Sequence, residues 1–176
     1  MSHRDGTDAE VIPILDAPSA TRVPSQSPGV LPGQPPARSP ALGRVGVVLV
    51  SHSRDLAQDV ADLAAALAQT PDPAPVAATG GHPGDGLGSS ALLIAAAARR
   101  VDQGHGVAVL ADLPAAVHTV LALLAAADEH GLPFPVRFAD APFVEGAVAA
   151  VLTASAGGDL AAVLDAAEET YRQRKL

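Results

Sequence analysis

Val45-Gly46-Val47-Val48-Leu49-Val50 is an unbroken apolar run, rich in β-branched residues and ended by a serine. A strand with one wet face alternates apolar and polar residues, and this run does not alternate. It therefore needs cover on both faces, which is the situation of strands in the parallel sheets of α/β proteins. Residues 106–111 (GVAVLA) form a second run of this kind, and residues 75–79 and 136–139 predict two shorter strands. The segments between them are helical in pattern. Residues 55–69 set Leu56, Val60, Leu63 and Leu67 at helical spacing, with Asp55, Asp59 and Asp62 on the other side. Residues 91–103, 115–130, 145–156 and 159–174 predict further helices, the third strand's helix closed by Gly131 and the last one capped by Asp159. Strand and helix alternate four times. Parallel strands need crossovers and helices supply them, so the expected fold is a doubly wound α/β domain. Its sheet is mostly parallel, four-stranded or slightly larger, with helices on both faces.

The domain begins abruptly. Eight of the 16 prolines lie in residues 1–43, among Ser, Gly, Gln and Thr and with no lasting apolar period. Such a segment buries too little surface to offset its ordering entropy, so 1–43 reads as a disordered proline-rich tail and 44–176 as one domain. The chain has no cysteine, which excludes disulfide frameworks, thiolate metal sites and cysteine nucleophiles. Its formal net charge of −8 argues against nucleic acid or an anionic membrane as partner. No apolar run approaches the roughly 20 residues of a membrane span. No apolar stretch follows the N-terminal Met-Ser-His-Arg-Asp, so no secretory signal is read there and a cytoplasmic location is expected. With only four aromatic residues there is no platform for stacking bases or sugars.

In open parallel sheets, ligands bind outside the carboxyl ends of the strands. The first strand ends in Ser51-His52-Ser53, the second in a glycine-rich loop (80–90), the third in Asp112 and the fourth in Asp140-Ala141-Pro142. All should share one rim. His52 has two readings: a reactive imidazole held at the cleft, or a polar residue at a helix start. Asp112 also has two, an N-cap or a carboxylate that fixes the tautomer of His52 and leaves the other ring nitrogen free as a nucleophile. Free N–H groups at the next helices, near Ser53 and Arg54 and near Ser89 and Ser90, favour an anion such as a phosphoryl group. The loop lacks the Gly-Lys-Ser/Thr ending of a Walker A motif and does not follow the GxGxxG pattern, so neither a nucleotide nor a dinucleotide site is expected there. His82, His105, His118 and His130 are weaker candidates. No histidine pair has HxxxH or HExxH spacing, so no metal is expected.

The segment VGVVLVSHSRDLAQDVADLAAAL (45–67) resembles the opening of the mannose-class enzyme IIA domains of the bacterial phosphotransferase system. Leu87-Gly88-Ser89-Ser90, Asp112-Leu113, APFVEGAVAA (141–150) and SAGGDL (155–160) extend the likeness over about 45–170, most closely to the DhaM branch of that family. That resemblance implies a phosphohistidine phosphotransferase subunit of a phosphoenolpyruvate-dependent dihydroxyacetone kinase. His52 would accept the phosphoryl group from the phosphocarrier protein HPr, and Asp112 would orient it. Ser53, Gly88 and Ser89 would bind the phosphate. The acceptor would be ADP on the subunit DhaL, and the ATP regenerated there would serve DhaK. The resemblance further implies a homodimer, no cofactor and no metal, and a chain ending at Leu176 suggests a stand-alone module. One departure stands out: the family carries Gly-Ser after Asp-Leu or its equivalent, and here Pro114-Ala115 follow, removing an N–H and a hydroxyl. Three other functions fit the residues less fully. They are a regulatory enzyme IIA module without a kinase, a chelatase-like metal enzyme and a noncatalytic interaction module.

Overall fold

The computed structural model describes residues 43–81 and 86–173. The expected disordered tail, apart from Gly43, lies outside the described residues, as does His82. Four strands, β1 (Gly46–Ser51), β2 (Val76–Gly80), β3 (Val107–Ala111) and β4 (Val136–Phe138), form one sheet in the order β2-β1-β3-β4. All pairings are parallel, with Val47 beside Val76, Val50 beside Ala111 and Val107 beside Val136. The crossovers are α1 (Arg54–Leu67), α2 (Ala91–Val101) and α3 (Pro114–Ala125), and α4 (Phe143–Ser155) and α5 (Leu160–Glu169) follow β4. This is the doubly wound parallel α/β architecture expected from the alternation of strands and helices.

Alternation along β1 divides the core. Val47 and Leu49 pack with Val60 and Ala64 of α1, Ala147 and Val151 of α4, and Val163 and Leu164 of α5. Val48 and Val50 pack on the opposite face with Ile94 and Ala98 of α2 and Ala116 and Val120 of α3. Every residue of β1 is buried, which is why the run contains no polar residue before Ser51. Close packing depends on small side chains. Gly146 of α4 is one such position, because a Cβ there would lie 2.7 Å from Ala141 Cβ and 3.1 Å from Leu110 Cδ2.

Three helices differ from expectation. In α1 the buried face is Ala57, Val60, Ala61 and Ala64, while Leu56, Leu63 and Leu67 are 43–44 % exposed. The alanines allow the helix axis to approach the sheet, and the leucines flank that contact instead of forming it. The third helix ends at Ala125, not His130. Its apolar stripe ends at Leu123 and Leu124, and without packing a further turn of helix is marginal. Residues 126–131 continue as turns, and Gly131, at φ +58°, closes those turns rather than the helix. The last helix stops at Glu169 and tightens into a 3₁₀ turn at Thr170–Arg172, with Asp159 Oδ1 accepting from Ala162 N–H as the expected cap.

Leu110 is fully buried on β3 beneath α4. Leu110→Ala should lower unfolding free energy by about 2–5 kcal/mol, read as a fall in the urea midpoint with an unchanged slope.

Candidate active site

The chain leaves β1 for β2 on one side and reaches β3 on the other, so the strand order reverses between the carboxyl ends of β1 and β3. His52 and Asp112 are the residues immediately after those two strands. Asp112 N–H donates to Val50 C=O at 3.1 Å, carrying the β1–β3 ladder one residue past β3. That bond places the aspartate beside the histidine.

The Asp112 carboxylate then collects four donors. Ser51 Oγ at 2.7 Å and His52 N–H at 2.9 Å reach Oδ2. Leu113 N–H at 2.7 Å and His52 Nδ1 at 3.2 Å reach Oδ1. Burial alone would push this carboxyl up, but the bonds from Ser51, from the His52 backbone and ring, and from Leu113 outweigh it and hold it below its ordinary 3.8. An ionised carboxylate only accepts, so Nδ1 of His52 carries the hydrogen, and in the neutral ring the lone pair is then on Nε2. Asp112 does not cap α3; that position is Leu113, and Pro114 takes the first helical turn. The loop therefore retains one N–H toward the site, from Leu113, despite the Pro114-Ala115 departure.

Ser51, wholly buried, links this cluster to α1. Its hydroxyl donates to Asp112 and accepts Ser53 N–H at 3.0 Å. Ser53 Oγ caps the helix by accepting Leu56 N–H at 3.3 Å. The free amides at the helix start thus sit one residue later than expected. Ser53 N–H is occupied, and those of Arg54 and Asp55 have no acceptor among the described residues. His52, Ser53, Arg54 and Asp55 face Gly80, Gly81, Gly86 and Leu87 across a cleft of about 270 Å³. Gly80 keeps it open, because a Cβ there would lie 2.3 Å from Ser51 O and 3.2 Å from Arg54 N.

Gly88 and Ser89 follow Leu87 at the edge of this cleft. Gly88 N–H donates to His52 C=O at 3.1 Å, and its own C=O accepts Gly81 N–H at 2.9 Å, so the glycine-rich loop closes on itself against the histidine. Ser89 Oγ donates to Thr119 Oγ1 at 2.9 Å, tying the loop to α3. His118 is exposed on α3 and lines a neighbouring cavity with Asp112 and Tyr171. His105 is exposed before β3, and His130 uses its carbonyl to hold Arg99. Among the described residues no group of three metal-ligating side chains gathers, and no helix is long and apolar enough to cross a membrane. Ser51 and Gly80 are the residues that sequence reasoning passed over. The signals were a hydroxyl closing an otherwise apolar buried strand and a glycine pair closing the next one.

Because the folded carboxyl sits below its ordinary value, the native state binds fewer protons than the unfolded chain near that pH. The stability Asp112 contributes is therefore complete above pH 3.8 and lost as pH falls through the lowered value. Urea midpoints of the wild type and Asp112→Asn should differ most near neutrality and converge in acid below pH 3.8.

Residues 46–164 match the family EIIA-man, described as PTS system fructose IIA component. The fold is similar to a crystal structure described as unknown function protein EF1359, with a TM-score of 0.61 at 25 % identity over 72 % of this chain and 94 % of that one. No curated protein sequence matches this chain. The family match spans well over half of the chain, and the parallel sheet beneath it puts the histidine–aspartate pair at the reversal of strand order. The chain belongs to the EIIA-man family of the phosphotransferase system.

Proposed function

We propose that this chain is a phosphohistidine relay with His52 as its phosphoryl carrier. The observation that carries the reading is the 3.2 Å contact between His52 Nδ1 and Asp112 Oδ1, made beside the unoccupied first-turn amides of α1. The donor is the phosphohistidine of an HPr-type phosphocarrier. The lone pair of His52 Nε2 attacks phosphorus as the P–N bond of the donor breaks, returning the electron pair to the donor ring. His52 thereby gains positive charge, which the Asp112 carboxylate stabilises through Nδ1–H without itself taking the proton. The N–H groups of Arg54 and Asp55 and the positive end of α1 favour the incoming oxyanions. Ser53 positions this helix start, while Gly88 and Ser89 hold the loop that walls the cleft.

For the second transfer, the DhaM-like segments 141–150 and 155–160 favour ADP bound on a DhaL-type subunit as acceptor. The P–N bond at His52 breaks, a terminal oxygen of ADP forms the new P–O bond, and the ATP so made serves a DhaK-type subunit in phosphorylating dihydroxyacetone. In this reading residues 44–176 carry the transfer, residues 1–43 are an appended tail, the working form is a homodimer, and the location is cytoplasmic. A regulatory module would share the first transfer and lack the second.

Incubation with phosphoenolpyruvate, enzyme I and HPr should place an acid-labile phosphoryl group on the wild type. His52→Ala should abolish that label with an unchanged circular dichroism spectrum; full labelling of the variant would remove His52 from this role. Asp112→Asn preserves shape but can present an amide N–H to the ring and favour the wrong tautomer. Its single-turnover transfer rate should fall by at least ~10²-fold, less than the ~10⁴-fold of the same change in a hydrolase triad because this site is more open. A rate within about threefold of wild type would leave Asp112 with a structural role only.

A further inference from the structure

The strand β2 is an edge strand, bonded to β1 alone. Val47 N–H takes Pro75 C=O at 2.9 Å, so the alternation of a parallel ladder turns Pro75, Ala77 and Thr79 toward β1. The N–H and C=O groups of Val76 and Ala78 therefore point outward, and no partner meets them among the described residues. Proteins usually guard such edges with charge, proline, a bulge or brevity. The other edge is guarded in this way: β4 has three residues, follows Pro135 and exposes Arg137. β2 also follows a proline, Pro75, but it is five residues long, pairs in continuous register, and its Val-Ala-Ala-Thr-Gly carries no charge and no proline of its own.

This open edge lies in a groove of about 430 Å³ between the two helix layers. Ala78 and Thr79 meet Arg54 and Gln58 of α1 on one side and Leu93 and Arg100 of α2 on the other. Both charged groups that line it are arginines. Both are exposed, and neither makes an ion pair among the described residues. Thr79 is only 8 % exposed, yet its hydroxyl has no hydrogen-bond partner in the described chain and is not sealed from the groove. An empty ladder, two unpaired cations and an unused hydroxyl thus converge on one strip of surface.

We propose that the β2 edge accepts an extended, carboxylate-bearing segment of a partner protein as a fifth strand. The partner's backbone would bond to Val76 and Ala78, as in other cases of strand addition. Successive side chains of an extended segment point to opposite faces, so carboxylates an odd number of residues apart reach Arg54 and Arg100 on their separate layers. Charge selects this occupant over a second copy. In a two-fold edge pairing the same surface meets itself, bringing arginines against arginines. The site is separate from the His52 relay in chemistry, although Arg54 borders both clefts.

The test uses the full chain, labelled with ¹⁵N, and the peptide acetyl-Glu-Thr-Val-Thr-Val-Glu-amide against its counterpart with lysine at both ends. The acidic peptide should shift the amides of Val76 and Ala78 and slow their hydrogen exchange, and the lysine peptide should not. Arg100→Gln should weaken the acidic peptide about fivefold, the scale of one exposed ion pair, while labelling of His52 by phospho-HPr stays as in wild type. Equal binding of the two peptides, or no change at Val76 and Ala78, would overturn the proposal. So would shifts confined to the His52 cleft, which would put the carboxylates on the phosphoryl site. A peptide-free dimer that protects the same two amides, detected by sedimentation, would assign the edge to a second copy instead.

Discussion

A single backbone bond, Asp112 N–H to Val50 C=O, decides what the carboxyl rim can do. It lies past the regular end of β3 and fixes the register of the two central strands at the point where they separate. A slip of one residue would turn Asp112 from the histidine and move its carboxylate off Ser51 and the His52 amide. The remainder of the site follows from this registration. With the carboxylate in place, the Ser51 hydroxyl has an acceptor, the Ser53 amide has Ser51, and α1 begins where Ser53 can cap it. The cleft is therefore assembled by the sheet, and the loops only complete it.

The same cluster explains how a carboxylate stays ionised in a half-closed position. The Asp112 side chain is 10 % exposed, and desolvation works against its charge. Two backbone amides, a buried hydroxyl and an imidazole replace the lost water. Three of those donors come from the consecutive residues Ser51 and His52 at the end of β1 and the fourth from Leu113, the residue after Asp112 itself, so all four are in place before any ligand arrives. Such preorganisation is the form of electrostatic support that costs no rearrangement during a transfer.

Much of this was legible in the residues. The apolar runs at 45–50 and 106–111 determined the central strands because a strand buried on both faces leaves no other pattern, and the strand ends then located His52 and Asp112 on one rim. What escaped was set by tertiary closeness. The leucines of α1 have the right spacing for a core face, but alanine permits a nearer approach, and distance rather than hydrophobicity chose Ala57, Ala61 and Ala64. The end of α3 at Ala125 depended on where its neighbours ran out, which no local signal records. Gly80 read as the first residue of a glycine-rich loop, whereas it ends β2 and lacks a Cβ against the Ser51 carbonyl. The hydrogen bonds of Gly88 and Ser89 likewise depend on how the loop folds back, a long-range matter that composition leaves open.

The alanine-lined helix faces also bear on how this domain responds to temperature. A helix seated through methyl groups removes less apolar area from water, residue for residue, than one seated through leucines, three of which stay 43–44 % exposed on α1. The heat-capacity increment of unfolding scales with the apolar area newly hydrated. A smaller increment flattens the curve of stability against temperature, and that is the direction in which these alanine contacts act.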